Sequence, residues 1–150
     1  MKKIGEYTAR GMGAETDGAI KISLFDGRFD TGYKVTGFSV FSQSVQDTYD
    51  NRCAGKLCTS SNCETAAATF MNLGDNREIA WAGQNDGSID AIVMAEGIID
   101  PENFIVEDLW IYLRSNQNEN VNYIITMEKY DTTEWQGALT LARGKQMGDD

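Results

Sequence analysis

The 150-residue chain contains no histidine, one proline and three cysteines. Without histidine it lacks the commonest general base at neutral pH and the commonest metal ligand. Catalysis by a Ser-His or Cys-His pair within one chain is therefore excluded. Basic residues are also scarce, with 13 Lys and Arg against 23 Asp and Glu and a net charge of −10. They are scattered rather than gathered into a stripe, which argues against nucleic-acid binding, because phosphate backbones are held by clustered cations. The longest apolar runs, such as AIVMA at 91–95, fall far short of the ~20 residues that span a bilayer. The basic start MKKIGEYTARGMG is not followed by the apolar stretch of roughly 7–15 residues of a secretion signal. The expectation is a protein kept in a cytoplasm until it is assembled or released, with no membrane partner. Neither a phosphate-binding G-x-x-x-x-G-K-[ST] loop nor a G-x-S-x-G nucleophile elbow occurs.

Alternating apolar side chains are what the chain does have. In AIKISLF, Ile20, Ile22 and Leu24 alternate with Lys21 and Ser23, which places the apolar set on one face of a strand. DGRFDTG (26–32) supplies turn chemistry, and GYKVTGFSVFS follows as a strand in which Gly37 marks a bulge. Residues 19 to 42 thus read as a hairpin. EIAWA (78–82) and SIDAIVMAE (88–96) are further strands around a GQNDG turn. FIVEDLWIYLR (104–114) and VNYIITMEKYD (121–131) read as two long strands that pair antiparallel across SNQNEN. Trp135, Ala138, Leu139 and Ala142 follow helical spacing and predict a short C-terminal helix, with a strand over 135–142 as the alternative. Residues 1–18, with glycine at 5, 11, 13 and 18, cannot bury much and read as a flexible or extended arm, either a loose terminus or one that orders on a neighbouring subunit. The expected fold is mainly β: a single-domain sandwich or jelly roll over 19–150, preceded by that arm.

NRCAGKLCTSSNCE (51–64) spaces Cys53, Cys58 and Cys63 evenly within a stretch (43–64) of neither period, read as a long loop with a short strand as an option. Structural zinc takes four ligands, commonly as closer pairs, so three cysteines without histidine do not form a metal site. Reduced thiols in an exposed loop are the expected state, and a disulfide of Cys53 or Cys58 with Cys63 is the other one open. Asp26, Asp30, Asp86 and Asp90 stand beside glycines as turn formers, and the calcium-loop pattern D-x-[DN]-x-[DN]-G is absent. No cofactor and no catalytic residue is expected. The tryptophans and tyrosines read as core or interface anchors, with a sugar-stacking platform as the alternative.

IKISLFDGRFDTGYKVTGFSVF (20–41) and FIVEDLWIYLRSNQNENVNYIITMEKYDTTEWQGALTLARGK (104–145), above all FDGRFDTGYKV and IVEDLWIY, resemble small structural proteins of tailed bacteriophages, particularly marine ones. The resemblance implies a non-enzymatic virion component, a capsid decoration or cement protein that is built as an oligomer, a trimer being favoured, and bridges major capsid subunits. It carries no catalytic residue across. The subunit contacts expected on this reading are the arm, Phe25, Asp26, Arg28, Phe29, Tyr33, Trp110 and Trp135. A receptor- or carbohydrate-binding module of a tail or fibre is the alternative.

Overall fold

The computed structural model describes residues 2–24, 27, 30–43, 51–63, 70–86 and 92–132. Through them run β1 (Lys2–Gly13), a 3-10 turn (Glu15–Asp17), β2 (Ile20–Ser23), β3 (Thr31–Ser42), β4 (Asn51–Cys58), β5 (Glu78–Asp86), β6 (Ile92–Ile99), β7 (Asp108–Ser115) and β8 (Val121–Asp131). All pairings are antiparallel and divide the strands into two sheets, β1-β8-β3 and β2-β7-β4-β5-β6. The fold is a β-sandwich. No helix among the described residues is long and apolar enough to cross a membrane.

The strands expected in AIKISLF (19–25) and GYKVTGFSVFS (32–42) are present as β2 and β3, but they do not form a hairpin. β2 pairs with β7 in one sheet, while β3 pairs with β8 in the other. The same holds for β7 and β8, expected side by side and found in opposite sheets. Each strand turns an apolar face to the sandwich core, and that face is buried equally well beside the next strand or across from it. Leu109, Ile111 and Leu113 of β7 and Val121, Ile125 and Met127 of β8 share one core, the six being no more than 2% exposed. Burying an aliphatic side chain of this size is worth about 1.5–3 kcal/mol.

The bulge expected at Gly37 is there, as a register shift between Val35 and Gly37. It lets Tyr33 and Val35 before it, and Phe38, Val40 and Ser42 after it, all point inward although their parity differs. Gly37 lacks the Cβ that would press on Thr126 Oγ1. GQND, expected as a turn, continues β5 to Asp86 in register with Asn51–Ala54 of β4. The C-terminal helix expected around 135–142 lies outside the described residues.

Two expectations need correcting. Residues 51–58, read as part of an exposed loop, form β4, the central strand of the larger sheet. Cys53 and Leu57 face the sandwich core, while Lys56 and Cys58 face the other way, toward Cys63 and Phe70. Both faces are covered, so no polar-apolar alternation survives in the sequence. Residues 2–13, read as a flexible or extended arm, pair with β8 of their own chain over the whole length of β1. The segment does bury little, since only Gly13 among its residues is buried.

The two edges of the smaller sheet are treated differently. The outer edge of β3 is closed by Ile105, whose backbone exchanges two 2.8 Å hydrogen bonds with Tyr33. Next along it, Asn103 imitates a strand: Val35 N donates to its Oδ1 at 2.7 Å and its Nδ2 donates to Val35 O at 3.1 Å. Gln84 Oε1 accepts from Ser42 N at 2.7 Å at the far end. Over the 12 residues of β1, no described residue pairs with its outer edge.

Candidate functional site

Two places stand out: the uncovered side of the small sheet with the open edge of β1, and a buried cluster beneath the cysteine segment.

On the small sheet, residues opposite one another in register share a face. Met12, Asn122 and Phe41 form one row, and Arg10, Ile124 and Ser39 the next. Arg10, Met12, Phe41, Asn122, Tyr123 and Ile124 line a shallow depression of about 510 Å³. Of the six exposed large apolar side chains among the described residues, three (Ile4, Tyr7, Met12) lie on β1 and Ile124 lies beside it on β8. Tyr123 lies against Gly11, where a Cβ would come within 2.6 Å of its hydroxyl, and burial raises the phenol's pKa. Gly5, Tyr7, Ala9, Gly11 and Gly13 lie in the inward-facing rows, Tyr7 at the rim beside Met127 and Val35, and the four small ones are the sequence signal for β1 that the arm reading missed.

The charges on this face are sparse and local. Lys3 Nζ lies 3.0 Å from Glu6 Oε1 and 3.5 Å from Glu128 Oε2. Tyr130 donates its hydroxyl to Glu128 at 2.8 Å. That bond, and then Lys3, hold the Glu128 carboxyl below its usual range. Arg10 has no ion-pair partner among the described residues. The surface therefore offers apolar area, a few charges and unused backbone donors and acceptors, which is equipment for gripping another polypeptide.

The second place is built around Lys56, which is fully buried on the outward face of β4. Its ammonium donates to Cys63 O at 2.8 Å, Phe70 O at 2.7 Å and Glu78 Oε2 at 3.4 Å. It also stands 5.0 Å from the centre of the Phe70 ring and 5.3 Å from that of Tyr112. All three ammonium donors are thus engaged. Glu78 Oε1 accepts from Asn72 N and Trp81 Nε1, both at 2.9 Å. Tyr112 donates to Ser61 O at 2.6 Å, and Arg77 reaches Asn62 O at 2.9 Å. Cys58 and Cys63 are joined by a disulfide, with Cα atoms 6.4 Å apart. The cluster straps residues 59–63 and 70–72 onto the central strand, and each of these polar groups has a partner. Cys63, Asp75 and Glu78 bring ligand atoms within 4.8 Å of one another, but the sulfur is in the disulfide, Asp75 holds Arg77 at 2.7 Å and Glu78 is committed to Lys56.

Of the residues expected at a subunit contact, Tyr33 lies in the core at 7% exposure, edge-on to Tyr7 with centroids 6.1 Å apart. Lys129 Nζ covers its ring at 5.6 Å. Tyr33 holds the sheet together and is not a surface contact. Trp110 is half-buried on the outward face of the larger sheet, against the disulfide cluster and 6.0 Å from Lys21 Nζ. Phe25, Asp26, Arg28, Phe29 and Trp135 lie outside the described residues. The expectation of reduced, exposed thiols is corrected: Cys58 and Cys63 are bonded and buried. Of the two disulfides left open, only the Cys58–Cys63 pair forms, because Cys53 points into the other face of β4. Its buried thiol lies 3.6 Å from Gln84 Oε1 and is held protonated by loss of solvent.

No protein-family model matches this chain, nor does any curated protein or solved structure.

Proposed function

We propose that the protein is a non-enzymatic structural component of a virus particle: a decoration or cement protein of a bacteriophage shell that oligomerises and bridges major capsid subunits. The observation that carries this reading is the concentration of exposed apolar side chains and free backbone capacity on one sheet. Ile4, Tyr7, Met12 and Ile124 surround the open edge of β1. A bridge made there raises the work of pulling neighbouring shell subunits apart, because anything that binds only the assembled state stabilises it. The buried strap of Lys56, Glu78 and the disulfide suits a part that must outlast assembly, since its polar groups satisfy one another instead of facing a substrate. Sugar or receptor binding would draw on exposed tryptophan. Trp81 is buried and Trp110 half-buried, so the described tryptophans lend that role no support.

The test is electron cryo-microscopy of purified particles. The sandwich should appear on the shell in hundreds of copies, with the β1 side of the small sheet against a neighbouring protein. Particles that lack the chain, or carry it with that sheet facing solvent, would sink the proposal.

A further inference from the structure

We infer that the open edge of β1 pairs antiparallel with β1 of a second copy, centred on Thr8, so that two three-stranded sheets join into one. The inference deepens the proposed function by naming the partner of that edge, and it rests on that reading for the choice of surface. Three observations lead to it.

The first is the asymmetry of the edges. Exposed strand edges invite pairing, and proteins blunt those that must stay free. The edge of β3 is closed by Ile105, Asn103 and Gln84, whereas β1 has no such cover among the described residues. The second is the strand's regularity. A register shift between Lys3 and Gly5 ends the even part of β1, so Gly5–Gly13 is the stretch that can continue a sheet.

The third is self-complementarity. Along a strand, backbone N–H and C=O groups turn to one edge at every second residue. Two copies of one strand can then pair antiparallel only if partners have the same parity. A register centred on Thr8 obeys this rule and sets Glu6 against Arg10 of the second copy, twice by symmetry. It also sets Gly5 against Gly11, so that the small residues oppose one another. The neighbouring allowed registers, centred on Tyr7 or Ala9, place Glu6 against Thr8 or Met12 and lose both ion pairs. Lys2 and Lys3 fall outside the regular span. In one chain Lys3 lies 3.0 Å from Glu6 and 3.5 Å from Glu128. On pairing, Lys3 keeps Glu128 while Glu6 turns to Arg10, and these two are the charges within the span. Opposite charges directly across a strand pair are favourable and like charges are not. Such a contact is twofold, so the trimer expected from the sequence would need a different surface.

The experiment uses the full chain, purified alone. Thr8→Cys places a thiol on the proposed twofold axis, while Cys53 is buried and Cys58–Cys63 is closed. Under mild oxidant, Thr8→Cys should give a covalent dimer at least tenfold faster than Tyr7→Cys or Ala9→Cys. In sedimentation equilibrium, Glu6→Arg or Arg10→Glu alone should weaken the dimer at least tenfold, and Glu6→Arg with Arg10→Glu should restore it. Glu6 and Arg10 are exposed, so neither change threatens the fold. A wild-type chain that stays monomeric at 100 µM, faster cross-linking at Tyr7 or Ala9, or a double variant as weak as the singles would each overturn the inference. No shell protein is present, so its failure is distinguishable from failure to decorate particles.

Discussion

Replacing Lys56 by methionine isolates what the buried strap contributes. Methionine keeps much of the side chain's length and its contacts with Phe70 and Tyr112 but removes the ammonium. Lys56 and Glu78 have fully buried side chains, and breaking a buried ion pair by removing one partner costs about 3–5 kcal/mol. The Cys63 and Phe70 carbonyls also lose their donor, at about 1–3 kcal/mol for each one that stays dry. Two effects pull the total down: Glu78 keeps its bonds from Asn72 and Trp81, and half-buried Phe70 admits water to its carbonyl. The balance is a loss of about 4 kcal/mol, dominated by the orphaned carboxylate. With a urea slope of about 2 kcal/mol/M, the unfolding midpoint should fall by about 2 M at constant slope. Glu78→Gln should cost less, because the amide can accept from Trp81 and still meet Lys56. A fall below about 0.5 M for Lys56→Met would refute the reasoning, since it would mean that the ammonium is already hydrated or the strap contributes little.

Reducing the Cys58–Cys63 bond, which closes a loop with a sequence separation of 5, should cost roughly 2 kcal/mol by the chain-entropy relation. The melting temperature should then drop by about 4–8 °C in reductant. In a thiol titration, native protein should show no fast-reacting group, denatured protein one, and denatured reduced protein three, matching buried Cys53 and the disulfide; a fast native thiol would contradict the burial. Gly97→Ala would drive a Cβ into the Phe38 backbone carbonyl across the sandwich, and should destabilise by about 1–3 kcal/mol in the same urea assay. Arg77, through its hydrogen bonds to the carboxylate, holds Asp75 at a pKa of about 2, below the ordinary 3.8. The stability it contributes is therefore present above about pH 4 and lost as pH falls through about 2. A carboxyl NMR titration with its midpoint near 4 would show that the Asp75–Arg77 pair does not form in solution.

The strands with one wet face were legible. Ile20 and Ile22, Val121, Ile125 and Met127, and the bulge at Gly37 all announce themselves through period two and its interruption. Partner choice was not legible, because alternation says which face of a strand is buried and nothing of whether its neighbour lies beside or across from it. For that reason both expected hairpins became crossings between sheets. β4 was hidden for another reason. Its outward face carries a lysine, normally a sign of solvent, and only the folded segment above it brings the Cys63 and Phe70 carbonyls that make Lys56 tolerable there. β1 was hidden by its glycines, whose value lies in the absence of a side chain where Tyr123 crosses the strand. The candidate surface follows the same pattern. The arm was singled out as the part that meets a partner, but its attachment to β8, which turns it into a template with one free edge, depends on pairings more than 100 residues apart along the chain.

The most direct measurement is hydrogen exchange of the β1 amides in free protein diluted until it is monomeric and in assembled particles. The account predicts that exchange across Gly5–Gly11 slows at least tenfold on assembly, while the residues packed over Lys56 stay equally protected in both states. Unchanged exchange in β1, with new protection confined to the larger sheet, would contradict it.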